Sequence, residues 1–408
     1  MLSFEAARAR VIELVGARTG APRTEIVDIA RHAARAAQRV LSDDVCADRN
    51  YPPFDRSTRD GYAVRSADAA RPGARLRLIG ESRAGIPFDS VLGAAECVRI
   101  LTGAAVPSGA DAVVMQEYVH LDGESLTCER AAVAGQNFVP AGAEARAGEV
   151  VLAQGARLGY AELAMAAQVG QTTLRVNRRP KVAILSTGDE VVDVDRSPGP
   201  FQIRNSNSVS LALQAALAGG ESILLGNASD DIGDLRAHIE RGLDSDMLVL
   251  SGGVSVGRYD FVEQVLRELG AEFYFDAVAI RPGKPAVFAW CRGKPVFGLP
   301  GNPVSTMVTF ELFVVPAIEL LSGAKPGPLP LFRARLAHAV GEKPPLAHFL
   351  PARVSWPGGE PQVESIPWQG SGDVGPLVRG NCFLVIHGEK QQFGAGEWID
   401  VLPRRGVF

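Results

Sequence analysis

Acidic pairs and glycine-rich turns recur at matching places along this 408-residue chain. Asp189/Glu190, Asp230/Asp231 and Asp260 follow three short apolar runs, Val182–Leu185, Ile223–Leu225 and Met247–Leu250. Three turn-rich loops accompany them: Ser-Gly-Gly-Val-Ser-Val-Gly from Ser251, Arg281-Pro282-Gly283-Lys284-Pro285, and Leu299-Pro300-Gly301-Asn302-Pro303. Two glycines after a buried strand let the backbone take positive φ and come close to a ligand; Ser251, Gly252, Gly253 and Ser255 are the residues placed to do so. Arg281 and Lys284 set two cations on a proline-stiffened turn, natural partners of an oxyanion. Pro300, Gly301, Asn302 and Pro303 precede a helix, whose free amides can hold an anion. Carboxylates beside such loops suit a hard divalent cation that shares phosphate oxygens. Glu190, Asp230, Asp231 and Asp260 are therefore the candidate Mg²⁺ ligands.

A plainer reading competes at two of these positions. Asp260 with Glu263, and Asp231 with Asp234, have the spacing of a capping box at a helix start. Which of Asp230 and Asp231 is functional stays open, whereas Glu190 has no such structural role on offer. Two polar loops earlier in the chain carry Asp60 (Phe-Asp-Arg-Ser-Thr-Arg-Asp-Gly-Tyr-Ala, residues 54–63) and Thr102 (Leu-Thr-Gly-Ala-Ala-Val-Pro, residues 101–107). Turn chemistry alone would account for Asp60-Gly61. Ser186 and Ser251 would serve as nucleophiles only beside a histidine base, and none of the six histidines falls in these loops, which argues against a serine triad.

The elements that must position these groups form four regions. Residues 1–48 and 145–178 read as a helical domain, with Ile26, Ile29, Ala33 and Ala37 on one predicted face and Tyr160, Leu163, Ala164 and Ala167 on another. Residues 49–144 alternate short β-type runs with Gly and Pro, a β-rich insertion. Residues 179–325 alternate strands with helices, which predicts an α/β domain on a parallel sheet. A hairpin about Cys-Arg-Gly-Lys and an apolar helix from Val304 to Leu321, kinked at Pro316, complete it. Residues 326–408 read as a small β-barrel or sandwich. The fold class is thus multidomain α/β.

Composition narrows the function. The formal charge of −4 (42 basic against 46 acidic side chains) argues against a general nucleic-acid or anionic-membrane binder. The apolar run 304–321 is interrupted by Glu311, Pro316 and Glu319, so no membrane span is expected. Five cysteines lie far apart, the nearest pair being Cys97 and Cys128, which excludes CxxC motifs and suits a reducing cytoplasm.

Taken together, the motifs are specific. Pro-Pro-Phe-Asp-Arg-Ser-Thr-Arg-Asp-Gly-Tyr-Ala-Val, Leu-Thr-Gly-Ala-Ala-Val-Pro-Ser-Gly-Ala-Asp-Ala-Val-Val-Met-Gln-Glu, the Gly-Gln-Asn segment from Gly135, Ser-Thr-Gly-Asp-Glu, Ser-Gly-Gly-Val-Ser-Val-Gly-Arg-Tyr-Asp, Arg-Pro-Gly-Lys-Pro and Gly-Leu-Pro-Gly-Asn-Pro-Val-Ser occur in this order. From about Val27 to its end the chain resembles the molybdopterin molybdenumtransferases, the MoeA-like family that includes the gephyrin E domain. The resemblance implies an elongated homodimer of four-domain subunits, with a cleft between domain III of one subunit and parts of the other. It implies that adenylated molybdopterin and molybdate give molybdenum cofactor and AMP, with Mg²⁺. By motif it makes Asp60, Thr102, Glu190 and Asp260 catalytic, and assigns binding loops to Lys284, Pro300 and Pro303, with Ser371 a candidate contribution from domain IV. A molybdopterin adenylyltransferase would supply the substrate and apo-molybdoenzymes would take the product. Three departures stand out: Arg59 replaces the usual Met before Asp60, Arg281 is the first basic residue of its loop, and the stretch after Gly370-Ser371-Gly372 differs from what usually follows. A molybdopterin adenylyltransferase and a non-catalytic molybdopterin-binding scaffold are the competing readings.

Overall fold

The computed structural model describes residues 1–253, 261–343 and 345–407. Its first helix, α1 (Phe4–Arg18), is capped by Ser3, whose hydroxyl accepts from the Ala6 amide. Phe4, Ala7, Val11 and Val15 recur at intervals of three and four and are all buried. They do not join the rest of the N-terminal region. They belong to the core of the α/β domain, with Val182, Val249 and Phe313, and Phe4 meets Phe349 of the C-terminal domain edge-on at 5.4 Å. Periodicity shows which face of a helix is apolar but not which core receives it. At roughly 1.5–3 kcal/mol for each large buried side chain, this stripe is enough to fasten α1 there.

The predicted helical face at Ile26 is replaced by a strand. β1 (Thr24–Asp28) leaves Ile26 66% exposed, and only then does α2 (Ile29–Ala36) begin, capped by Asp28 accepting from the Arg31 amide at 3.0 Å. Thr24, Ile26 and Val27 are β-branched and stiff at χ1, which favours the strand, and an aspartate at position 28 ends it. Helix α3 (Tyr160–Gln168) buries Ala166 and half-buries Leu163, while Tyr160 is 92% exposed. The buried face is therefore not the one expected from Tyr160, Ala164 and Ala167. Strand β2 (Thr173–Asn177) pairs antiparallel with β1. This domain is thus mixed rather than purely helical, with Leu41, Leu158, Leu174 and Val176 in its core.

The insertion between α2 and α3 is a six-stranded sheet in the order 112–115, 61–64, 96–100, 75–82, 125–128 and 119–122.

The α/β domain is built on β3 (Lys181–Thr187), α4 (Ser206–Leu217), β4 (Glu221–Ala228), α5 (Ile232–Leu243), β5 (Met247–Ser251), α6 (Phe261–Glu268), β6 (Glu272–Ala277), β7 (Pro285–Cys291) and β8 (Lys294–Leu299). Its sheet order is β4-β3-β5-β8-β7-β6. β4, β3, β5 and β8 run parallel, and β5 is buried at every residue, as a strand covered on both faces must be. β7 and β8 form an antiparallel hairpin turned by Arg292 and Gly293, both at positive φ. The sheet is therefore mixed at this edge and not wholly parallel.

The helical run 303–321 is long and apolar enough to cross a membrane, but 78% of it is buried, the pattern of a core helix. It widens to a π-type turn over Phe310–Val314, just before Pro316, where the proline ring and missing N–H rule out regular α geometry. The last domain closes five strands into a barrel (332–336, 362–365, 347–355, 382–386 and 398–403, with 332–336 also paired to 398–403). The two-residue strand Ile280–Arg281 adds to it in parallel with Ala347 and His348, so the Arg-Pro-Gly-Lys loop is tethered to the barrel.

Candidate active site

β3, β5 and β8 end side by side, with Ser186 opposite Ser251 and Ser251 opposite Leu299. Beyond these carboxyl ends lies a cleft of about 640 Å³, the usual ligand crevice of an open α/β sheet. Ser251, Gly252, Gly253, Pro300, Gly301, Asn302 and Pro303 all line it, as do Glu190 and Asp230. The amino end of α4 and residues Gly372 and Val374 of the barrel domain form its walls.

Gly252 and Gly253 are required by contact as well as by dihedral angle. Their φ values are +97° and +64°. A Cβ on Gly252 would sit 2.8 Å from the Thr187 carbonyl oxygen, and one on Gly253 would sit 2.8 Å from Thr187 Oγ1 and from Val262 Cγ2. The backbone of β5's loop is thus pressed onto the end of β3, which leaves its outer side open to the cleft.

The carboxylates divide their roles. Asp231 caps α5 by accepting from the Asp234 amide at 2.9 Å, and Asp234 accepts from the Ser229 amide and hydroxyl. Those bonds, with His238 nearby, hold the Asp234 carboxyl below the usual range. Asp189 accepts from the Asp230 amide at 3.0 Å. That leaves Glu190 and Asp230 facing the cleft, with Arg204 the charged residue of opposite sign among the described lining residues. No cluster of three metal-ligating side chains occurs among the described residues. Two carboxylates nevertheless fit Mg²⁺, which keeps several waters and takes further oxygens from a bound phosphate.

The other predicted residues are not among the described residues that line the cleft. Asp260 and Ser255 lie outside the described residues. Arg281 and Lys284 are exposed and flank the cleft through Pro285, which does line it. Ser371 accepts from the Val304 amide through its carbonyl oxygen at 2.9 Å, holding the barrel segment against the helix start. Asp60 and Thr102 sit together in the insertion: the Thr102 amide and hydroxyl donate to one Asp60 oxygen at 2.7 and 2.9 Å. These two bonds, with Arg99 adding its charge, hold the Asp60 carboxyl below the usual range, so it stays ionised.

Sequence reasoning missed Asn207. It is buried in the first turn of α4, and its Nδ2 donates to Ser251 Oγ at 2.8 Å and to the Gly301 carbonyl at 2.7 Å, joining three elements of the cleft. Because the Gly301 carbonyl only accepts, the amide orientation is determined, and Oδ1 is left buried without a donor among the described residues. Such an orphaned acceptor at a cleft wall is a place for a ligand N–H. The sequence signal was Arg204-Asn205-Ser206-Asn207-Ser208: Asn205 is the N-cap, accepting from Ser208 N and from Ser186 Oγ, and a second Asn inside a helix needs a reason. Asn207→Ala is expected to lower stability by roughly 1–3 kcal/mol, since it strands the buried Ser251 hydroxyl and removes the donor to the Gly301 carbonyl. A urea midpoint equal to that of the unaltered chain would show that these bonds do not tie the cleft together.

Comparison with known proteins finds matches along nearly the whole chain. Residues 2–170 match the MoeA N-terminal region (domains I and II), 183–320 a probable molybdopterin-binding domain, and 333–403 the MoeA C-terminal region (domain IV). The chain is 35% identical to a molybdopterin molybdenumtransferase of Haemophilus influenzae, covering 99% of this chain and 98% of that one. It is 34% identical to the molybdopterin molybdenumtransferase of Bacillus subtilis over 89% and 87% of the two chains. A crystal structure of a MoeA molybdopterin biosynthesis protein from Pyrococcus horikoshii superposes with a TM-score of 0.80 at 28% identity, over 99% of this chain and all of that one. With end-to-end similarity in sequence and fold, the chain belongs to the MoeA family of molybdopterin molybdenumtransferases.

Proposed function

We propose that this chain inserts molybdenum from molybdate into adenylated molybdopterin and releases AMP. The observation that carries the reading is the cleft itself, where the Ser251-Gly252-Gly253 and Pro300–Pro303 loops face Glu190 and Asp230 in a member of this family. Molybdate is a dianion, so carboxylates repel it directly. Glu190 and Asp230 would instead hold Mg²⁺, which supplies charge neutralisation to the phosphoanhydride and the oxyanion. The glycine-loop backbone orients the substrate, Asn207 Oδ1 accepts an N–H from it, and Arg281 and Lys284 at the rim attract the oxyanion.

We take the working unit to be a homodimer. Asp60 and Thr102 are not among the described residues that line the cleft of their own chain, and the family resemblance implies a cleft shared between subunits. A second copy would bring that pair to it. The exposed apolar side chains Phe201 (92%), Val209 (57%) and Leu213 (61%) beside the cleft's own helix, and the apolar groove of about 460 Å³ between α2 and α3, are surfaces such a contact would cover. The cytoplasm, where thiols stay reduced, suits the five unpaired cysteines. A molybdopterin adenylyltransferase upstream and apo-molybdoenzymes downstream complete the proposed chemistry.

AMP release from adenylated molybdopterin, followed with Mg²⁺ present and molybdate added or withheld, tests this. Molybdate-dependent AMP release, with product that activates an apo-molybdoenzyme, is the expected result. ATP consumption without molybdate would mark an adenylyltransferase instead, and tight pterin binding without AMP release would mark a scaffold.

A further inference from the structure

At the opposite end of the sheet, where β3, β5 and β8 begin, a second cavity of about 250 Å³ opens. A six-residue strand spans about 20 Å, so this cavity is well separated from the cleft. Its walls come from the connection between α1 and β1 (Arg18 to Arg23), from Arg178 and Pro180 between β2 and β3, and from Asp246, Trp290 and Lys294. These two stretches are the chain's crossings between the N-terminal region and the α/β sheet, and they are joined at the cavity edge by the Arg178 amide donating to the Arg23 carbonyl at 2.6 Å.

The lining is strongly basic, with four cations against Asp246. Arg18 is engaged by Glu272 at 2.8 Å and lies over the Tyr274 and Trp290 rings, and Arg178 is engaged by Asp246 at 2.8 Å. Arg23 and Lys294 line the cavity with no acidic partner among the described residues. Arg178 Nε and Thr19 Oγ1 in the same wall are buried without any hydrogen-bond partner among the described residues. A guanidinium Nε can only donate, so this wall lacks an acceptor that the protein does not provide. The carboxyl end of α1 points its negative dipole here, and Arg18 in its last turn offsets that field.

We propose that this cavity binds a phosphate-class oxyanion, with Arg23, Arg178 and Lys294 as its cationic contacts and Trp290 as an apolar wall for any organic substituent. Free phosphate and the phosphoryl group of a metabolite share this chemistry. Binding would fasten both crossings to the base of the sheet. Neither the cavity nor its occupancy depends on the activity assigned to the cleft.

Isothermal titration of the full-length protein with inorganic phosphate and with phenyl phosphate tests it, using the unaltered chain and the Arg23→Gln/Lys294→Gln double variant. Saturable binding that weakens about a hundredfold in the double variant is expected, since each charge-assisted contact is worth about a factor of ten. Arg23 is exposed, so Arg23→Gln alone should leave the fold intact and weaken binding by about tenfold. Tighter binding of phenyl phosphate would point to a metabolite resting on Trp290, and equal binding to free phosphate. Binding that is the same in all three proteins, or absent from the unaltered chain, overturns the site.

Discussion

Glu190→Gln is expected to lower molybdate-dependent AMP release by about 10²- to 10³-fold while leaving the folded state almost unchanged, the scale of losing one group aligned with developing charge. The substitution keeps size and hydrogen-bonding reach and removes only the charge. Glu190 is exposed at the cleft and makes no ion pair within the described residues, so its stability effect should stay within about 0.5 kcal/mol. Its carboxylate lies back over Gly188, at φ +124°, where a Cβ would collide with it. The neighbouring acids provide an internal contrast. Asp230→Asn should lower turnover in the same way and raise the Mg²⁺ concentration needed for half-maximal rate. Asp231→Ala should cost about 1 kcal/mol of helix capping and leave the rate per folded molecule close to normal. Turnover by Glu190→Gln within threefold of the unaltered enzyme would remove Glu190 from the mechanism.

Gly252→Ala is expected to destabilise the protein by roughly 2–6 kcal/mol and to abolish pterin binding in whatever fraction folds. Two costs combine. A non-glycine residue at φ +97° stores about 1–3 kcal/mol of backbone strain, and a methyl group 2.8 Å from the Thr187 carbonyl oxygen and 2.9 Å from its hydroxyl forces the end of β3 to move, at about 1–3 kcal/mol for an overpacked core. The movement matters more than the energy, because Thr187 and Gly252 together shape the cleft floor. Gly301→Ala is the control: among the described residues its Cβ would meet only Gly252 Cα at 3.6 Å, an ordinary contact, and its φ is not in the left-handed region. Thermal unfolding separates the two, and equal midpoints for Gly252→Ala and the unaltered protein would show that the loop is not pressed against β3 as described.

Several of these features are legible in the order of the amino acids. β5 is a run of four bulky apolar residues followed by Ser-Gly-Gly, and it folds as a fully buried strand with a positive-φ loop after it. The spacing of Asp231 and Asp234 reads as a cap and is one. At Ile26 the same kind of reasoning fails, because an isoleucine at helical spacing from Ile29 also sits well in a strand, and the choice falls to pairing with Thr173–Asn177. Tyr160 and Ala164 look like a core face, but the core that receives α3 lies on its other side.

Taken alone, the amino-acid order determined whatever depends on neighbours within a turn or two: which residues cap helices, which glycines take positive φ, that regular helix geometry breaks near Pro316, and the ordered motifs that mark the family. Tertiary structure alone decided what depends on residues far apart in the chain. It docked α1 into the α/β core, gave Asn207 its bonds to Ser251 and to Gly301, 44 and 94 positions away, separated Asp230 at the cleft from Asp231 on its helix, and left Asp60 outside the cleft of its own chain. The physical reason is that local preferences arise from sterics and hydrogen bonds inside one element, whereas partners across a sheet are selected by the packing of the whole core.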